Sequence, residues 1–538
     1  MNTLRKINFR FIPSLLFLMV VASCGTDWLD EQPLTSISSA TFWKSESDAI
    51  LALNGVYTSS TVGDNGYNNL LLCYTSKIGD GAYKEAAHGD VYTGFFTPTD
   101  WEVARIWNMC YTAIYRSNYF LENIEAVEMD EALKAQFIAE VRFIRAYEYF
   151  YLRLWFGDVP LVTKVLTIEE ANTQTRNPLE EVANYAISEL TEAAKDLPAT
   201  RPDNERGRIL KSAALAAKGR LLLMHKRWAE AVSTYQEIIN LNAHVIDPQY
   251  KAMFEEAGSK SSKEIVLSTS CITGLRPNPQ NQTNYHPEMY GGYEETVPTQ
   301  SIVDAYLMND GLPIEESPLY DPANPFENRD PRLYATIFLP FYTVFRGELY
   351  DNRSLRSINV TGYSWKKYVT EDFLGVPHDS GEDIILLRYA EVLLSYLEAK
   401  LENGDAITQE LLDQTINQVR SREEVQMPAV TETDPAKLRE IVRRERRVEF
   451  CFERIVRYMD VMRWGLFPDI ANQKVYGMKL TDDPENYTEF LVETVGKYRG
   501  HYINIDNTGQ FTTDHIFLPL PQFEIDINPN LKQNPGYN

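Results

Sequence analysis

The densest set of charged side chains lies in residues 441–465, IVRRERRVEFCFERIVRYMDVMRWG. Arg443, Arg444, Arg446, Arg447, Arg454, Arg457 and Arg463 stand there among Glu445, Glu449, Glu453 and Asp460. Two kinds of chemistry suit such a set. Arginines left free would bind an anion or a nucleic acid through their planar, permanently charged forks. Arginines matched by acids would instead bridge neighbouring helices, satisfying carboxylates and backbone carbonyls together. The interleaved acids favour bridging, because they leave little free positive field. Glu453 and Arg457 are one helical turn apart, and Asp460 is three residues from both Arg457 and Arg463, so each can pair locally. On this reading Arg447→Ala lowers thermal stability and leaves ligand affinity nearly intact.

Catalytic patterns do not accompany this run. The chain has no HExxH, no GxSxG, no Walker loop and no GxGxxG. Its histidines, at 88, 225, 244, 286, 378, 501 and 515, include no i, i+4 pair. Two carboxylates for glycoside hydrolysis can meet from distant positions, but among 76 acidic residues no pair stands out. Neither a catalytic residue, a metal ligand nor a cofactor is nominated. Cys73, Cys110, Cys271 and Cys451 form no CxxC and read as buried free thiols. A bridge such as Cys73 to Cys110 stays open in an exported chain.

These residues need elements to hold them. Ile441, Val448, Phe452, Ile455, Met459 and Met462 recur at steps of three, four or seven, which predicts one long helix over 441–465. Ser45 or Ser47 can cap a helix carrying Ala49, Leu53 and Val56, and helices are predicted at 101–127 and 133–156. The second is apolar on two faces and therefore sandwiched. Gly157 and Pro160 end it. At 213–241 a helical hairpin has Gly219, Ala231 and Tyr235 at the small and large spacing of a tetratricopeptide repeat. Amphipathic helices on either side extend it into a stack. Ile265 to Leu267 reads as a short strand. Helices are predicted again at 299–307, 383–401 and 411–419. Residues 517–537 are too rich in proline for regular structure. Two tracts rich in glycine, proline, tyrosine and asparagine interrupt the helices, at 58–100 and about 258–378. Long tracts of this kind are usually functional or disordered, and their aromatic content argues against disorder.

The net charge is −24 over 538 residues, which argues against nucleic acid as a partner. Arg5, Lys6 and Arg10 precede an apolar stretch at 11–22 that is too short to span a bilayer and has the layout of a secretory signal. It ends Val21-Ala22-Ser23-Cys24, similar to a bacterial lipobox. Residues 1–23 then read as a removed signal peptide, with Cys24 as the lipidated first mature residue. Its acyl chains would hold the protein on a membrane.

Five blocks, with a closing segment, resemble the SusD/RagB family of surface nutrient-binding lipoproteins, in the family's order. They are Cys24 followed by WLDEQP; AEVRFIRAYEYFYLRLWFGDVPLV at 139–162; Asp330-Pro331-Arg332; LLRYAEVLLSYLEA at 386–399; RRERRVEFCFERIVRYMDVMRWG at 443–465; and, closing the chain, FLPLPQFEIDINPNLKQNPGY at 517–537. The resemblance implies a mostly α fold. Tetratricopeptide-like hairpins would form a scaffold carrying a loop-rich, ligand-facing part with little β structure. It implies an N-terminal region at 24–260 and a C-terminal region at 261–538. It also implies binding without catalysis: capture of a glycan or similar nutrient, and delivery to a SusC-like TonB-dependent transporter. The expected location is the outer membrane, lipid-anchored and facing the cell surface.

A glycan needs flat aromatics against its C–H faces and polar groups at its edges. Residues 67–101 and 285–293 offer that mixture. Tyr83, Tyr92, Trp101, Tyr285, Tyr290 and Tyr293 are nominated for stacking, with Asn284 and Arg276 for hydrogen bonding. Two other readings remain at this point: a tetratricopeptide-type scaffold that binds protein alone, and a surface glycoside hydrolase.

Overall fold

In the computed structural model the described residues are 42–63, 80–83, 94, 96–278, 287, 291–292, 294, 296–351, 361–371, 379–453, 455–480, 491–494, 501–505 and 510–537. Cys24, Cys73, Tyr92, Asn284, Tyr285, Tyr290 and Tyr293 lie outside them, and of Tyr83 only the backbone is described.

The principal helices are α1 (Glu46–Ser59), α2 (Trp101–Asn123), α3 (Glu131–Phe156), α4 (Leu179–Asp196), α5 (Lys211–Met224), α6 (Trp228–Asn240), α7 (Gln300–Ala305), α8 (Pro331–Thr336), α9 (Tyr389–Asn403), α10 (Pro435–Glu449) and α11 (Val456–Arg463). Ser45 caps α1 reciprocally with Asp48, a capping box that satisfies two otherwise orphaned donors. Helices α2 to α6 pack each on the next, and α6 packs on α9, giving the predicted stack. In its middle α3 is buried on both apolar faces, Phe137, Val141 and Ile144 on one and Phe143, Tyr147, Phe150 and Leu154 on the other. Within the α5–α6 hairpin a Cβ on Gly219 would lie 2.4 Å from the Tyr235 ring. This is the small-against-large contact read from the spacing. Gly219→Val is therefore expected to destabilise by roughly 1–3 kcal/mol through overpacking, measured by urea denaturation; no loss would mean that the Tyr235 ring gives way.

β structure is sparse. The strands are β1 (Gly81–Tyr83), β2 (Ile265–Thr269), β3 (Thr296–Pro298), β4 (Ile337–Phe338), β5 (Val344–Phe345), β6 (Glu348–Leu349), β7 (Ser364–Trp365), β8 (Ile384–Arg388), β9 (Val475–Lys479), β10 (Leu491–Thr494) and β11 (His501–Ile505). All pairings among the described strands are antiparallel, β1 with β3, β2 with β8, β4 with β7, β5 with β6, and β11 between β9 and β10.

Four predicted elements differ. Residues 384–388 are strand, and helix starts only at Tyr389. That run, IILLR, is buried throughout, and a short apolar run buried on both sides carries no period that separates strand from helix. Residues 411–419 form two short helices, Gln409–Gln414 and Ile416–Arg420, broken at Thr415. In the tail Gln522–Ile527 is helical, since Pro521 precedes the helix and does not interrupt it. The long helix over 441–465 is two helices. The chain leaves α10 at Phe450, passes Phe452 in the left-handed region (φ 60°), and re-enters helix at Val456. The Phe452 ring stacks on Trp365 at 4.2 Å. The carbonyls freed by the break find side-chain donors. Lys367 Nζ donates to the Glu449 and Cys451 carbonyls at 3.1 and 2.9 Å. Arg388 and Tyr250 also donate to the Glu449 carbonyl, at 2.9 and 3.0 Å. Glu453 consequently pairs with Arg388 and Lys367 rather than with Arg457. The local pair Asp460–Arg463 does form, at 2.8 Å.

The blocks at 139–162, 330–332, 386–399, 443–465 and 517–537 converge here. Arg332 of the Asp330-Pro331-Arg332 turn is fully buried and pairs with Asp330, Glu445 and Glu449 at 2.6–2.8 Å. Arg446 and Arg463 of the charged run reach Asp460, and Arg463 also reaches Glu398 of α9. Trp155 near the end of α3 stacks on Tyr458 of α11 at 4.7 Å, and its carbonyl accepts from Leu518 N of the tail at 2.7 Å. Cys110, Cys271 and Cys451 are buried free thiols, which leaves Cys110 out of any bridge to Cys73.

Candidate functional site

The β1–β3 ladder joins residues 81–83, inside the first nominated tract, to residues 296–298, which follow the second. Gly81 faces Pro298, Ala82 faces Val297 and Tyr83 faces Thr296. Just before β1, the Asp80 carbonyl accepts from the Thr299 amide and hydroxyl at 3.1 and 3.0 Å. The ladder is short, and three-residue strands gain little from their own hydrogen bonds. Side chains from the helical scaffold therefore hold it. The Asp80 carboxylate accepts from Arg447 of α10, with Nε–Oδ2 at 2.9 Å, and lies 3.4 Å from Arg457 of α11. Burial alone would push this carboxyl up; Arg447 and Arg457 outweigh it and hold it below its ordinary value. On the β3 side, Gln300 Oε1 accepts from the Tyr363 hydroxyl at 2.7 Å, and Ser364 donates to Glu294.

The other described nominees fall elsewhere. Trp101 is the first residue of α2, is 53% exposed, and presents an unburied indole. Thr97 caps its turn onto Asp100, and the turn is held to the C-terminal tail by Gln522 N donating to the Pro98 carbonyl at 2.8 Å. Trp101 is thus positioned by the tail rather than by the ladder. Arg276 forms an isolated bridge with Ile272, and its half-buried guanidinium donates to the Gly63 carbonyl. It braces the start of the first tract, so its role is structural before it is ligand-facing.

The insert also holds a feature that the spacing did not reveal. Tyr342 is 42% exposed and stacks on Tyr334 at 5.4 Å with an interplanar angle of 21°. The Tyr334 hydroxyl donates to the Phe326 carbonyl at 2.6 Å, which fixes the ring beneath. Phe326 packs edge-on against both Tyr342 and Tyr363, and Tyr363 reaches Gln300 beside the ladder. Next to it the β5–β6 hairpin exposes Val344 and Leu349. The sequence FLPFYTVF at 338–345 signals aromatic density but has no period that distinguishes an outward ring from a core ring.

Adjoining Asp80, a surface cavity of about 380 Å³ is lined by Ser301, Asp304, Arg443, Arg444, Arg447, Arg457 and Trp464, among others. The described residues contain no cluster of three or more His, Cys, Asp or Glu side chains able to hold a metal ion, and no helix long and apolar enough to cross a membrane. The arrangement as a whole offers exposed stacking rings on a rigid, cross-braced support, a layout that fits recognition of a flat-faced polar ligand.

Comparison with known proteins gives the following likenesses. Residues 265–537 match the model of the SusD family, and residues 27–223 match a family described as starch-binding associating with outer membrane. SusD-like protein P25 of Formosa agariphila is 24% identical, covering 97% of this chain and 98% of that protein. A crystal structure of a SusD-like carbohydrate-binding protein from Bacteroides fragilis is 34% identical, with a TM-score of 0.84 over 91% of this chain and all of that one. A second SusD-like protein from Bacteroides fragilis is 27% identical, with a TM-score of 0.76 over 94% of this chain and all of that one.

Proposed function

From the premise that the chain belongs to the SusD family, we propose that it is a cell-surface glycan-binding lipoprotein that hands its ligand to a SusC-like TonB-dependent transporter without chemical change. The observation that carries this reading is the β1–β3 ladder, which braces residues 81–83 of the first aromatic tract against residues 296–298 and, through Asp80, against the helical stack. The 34% identical Bacteroides fragilis relative, described as carbohydrate-binding, supports a glycan as the ligand class. The match to a family associated with the outer membrane supports the location, and Cys24 at the end of the signal-like segment would supply the lipid anchor. The two family matches fall on either side of residue 260, which supports regions at 24–260 and 261–538. With no nominated nucleophile, acid–base pair or metal, the loops would recognise the ligand and leave its bonds intact.

The stacking set for this function is Tyr83, Tyr92, Trp101, Tyr285, Tyr290 and Tyr293, to which the exposed Tyr342 is added. Asn284 and Arg276 supply polar contacts. A glycan array on the soluble form beginning after Cys24 identifies a ligand. Alanine replacement of each stacking ring is then expected to weaken calorimetric affinity by about 3–10-fold for rings that touch the sugar, the scale of one aromatic contact at roughly 0.5–1.5 kcal/mol. Affinity unchanged across the whole set would sink the assignment.

A further inference from the structure

The arginines of residues 441–465 divide into two groups. Those facing inward are neutralised. Arg446 meets Asp460 at 2.8 Å, and Arg463 meets Glu398 at 2.5 Å. Those facing the cavity beside Asp80 are not. Arg444 has no hydrogen-bonding or carboxylate partner among the described residues, and Arg443 has only the Trp464 ring, 4.9 Å away. Arg447 and Arg457 share the single carboxylate of Asp80. Burial pushes the Arg457 guanidinium down, and Asp80 only partly offsets that. Arginines in the lining outnumber carboxylates four to two, with Asp304 and Glu315 as the acids. They remain in excess when Asp80 behind them is included.

A local positive concavity in a chain of net charge −24 is a specific feature, because surrounding acids would otherwise repel any anion. The cavity's 380 Å³ falls in the range of small-ligand sites, about 300–1,000 Å³. Its wall combines forked donors, which fit planar or tetrahedral oxyanions in pairs, with the Trp464 indole, over which Arg443 lies at 4.9 Å. Asp80, held by Arg447 and Arg457 of the cavity wall, places it directly behind β1.

We propose that this cavity is a subsite for an oxyanion, the carboxylate or sulfate of an acidic glycan, held by Arg443 and Arg444 with Trp464 beside it. The glycan clause rests on the reading given under Proposed function; the anion clause stands on the cavity alone. Sulfate is the minimal probe. Calorimetric titration of the soluble chain with sodium sulfate, against sodium chloride at equal ionic strength, is expected to show saturable single-site binding. The double variant Arg443→Met/Arg444→Met should bind sulfate at least about tenfold more weakly, a change of about 1.4 kcal/mol. It should melt at the same temperature, since neither residue has a carboxylate to lose. Arg444→Gln alone serves as a second, milder variant and should weaken binding in the same direction. No saturable sulfate binding, or equal binding by the variants, would overturn the proposal. A glycan array then separates the sources. Retention of uronate or sulfated glycans by the parent chain and their loss from the double variant supports the acidic glycan. Neutral glycans bound equally by both forms would leave the glycan-binding reading standing and overturn this subsite. Absence of any bound glycan would count against that reading and against the glycan as source, with the sulfate titration still deciding the cavity.

Discussion

Replacing Arg388 with methionine is expected to destabilise the fold by on the order of 3–5 kcal/mol, the scale for removing one partner from a buried ion pair. Arg388 is 1% exposed and pairs with three carboxylates, Glu264, Glu449 and Glu453, each at 2.7 Å. It belongs to a buried cluster in which Arg332, Lys367, Arg388, Arg420 and Arg422 meet Asp330, Glu264, Glu445, Glu449 and Glu453. Cations and carboxylates match in number, so the variant leaves one negative charge uncompensated away from water. Burial alone would raise the Glu449 carboxyl, yet Arg388, Arg422 and Arg332 hold it far below the ordinary range. The loss should appear as a lower urea midpoint by circular dichroism. Arg388→Met combined with Glu453→Gln restores charge balance and should recover part of it, because the two sites share a contact and their effects do not add. A double variant as unstable as the sum of the single variants would contradict this account of the cluster as a neutral unit.

The cluster also marks the boundary of what spacing alone conveys. Local signals were reliable. The Ser45 cap, the Gly219–Tyr235 contact and the glycine stop at Gly157 each depend on neighbours within a turn or a hairpin, where sequence distance and spatial distance agree. Partners in the cluster are far apart in sequence. Glu453 takes Arg388, 65 residues away, in place of Arg457 one turn along, because the chain leaves helix at Phe450. The carbonyls freed there are met by donors on Lys367 and Arg388, which no helical period in 441–465 contains. The described family blocks, at 139–162, 330–332, 386–399, 443–465 and 517–537, located the scaffold, since they contact one another in the folded chain. For the candidate site, the tracts were identifiable from aromatics between glycines. The β1–β3 pairing beside them was not, because three-residue strands carry no alternation long enough to read. Tyr342 was missed for a related reason: its exposure depends on the Tyr334 ring beneath it, not on its neighbours in the chain.

Arg447→Met is expected to reduce both stability and glycan affinity, where the charge pattern alone had pointed to stability only. Its guanidinium is bound to Asp80 and to the Ser301 hydroxyl at 2.8 Å, so it fastens α10 to both chains at the Gly81–Pro298 end of the β1–β3 ladder. Losing charge-assisted bonds of this kind costs roughly 1.5–3 kcal/mol. Asp80 would keep only Arg457, 3.4 Å away. Part of that loss falls on the ladder itself, because the Asp80 backbone holds Thr299. If the ladder is ordered in a tenth of the molecules, apparent affinity falls by about tenfold with no ligand contact removed. Asp80→Asn should produce the same pair of effects, and the double variant should be little worse than either alone. Arg446→Met is the control. Its partners Asp460 and Ser395 lie inside the helical scaffold, so it should lower the urea midpoint and leave calorimetric affinity of the folded protein unchanged. Equal affinity for the parent chain and Arg447→Met would mean that β1 keeps its place without the arginine, and Arg447 would then be scaffold alone.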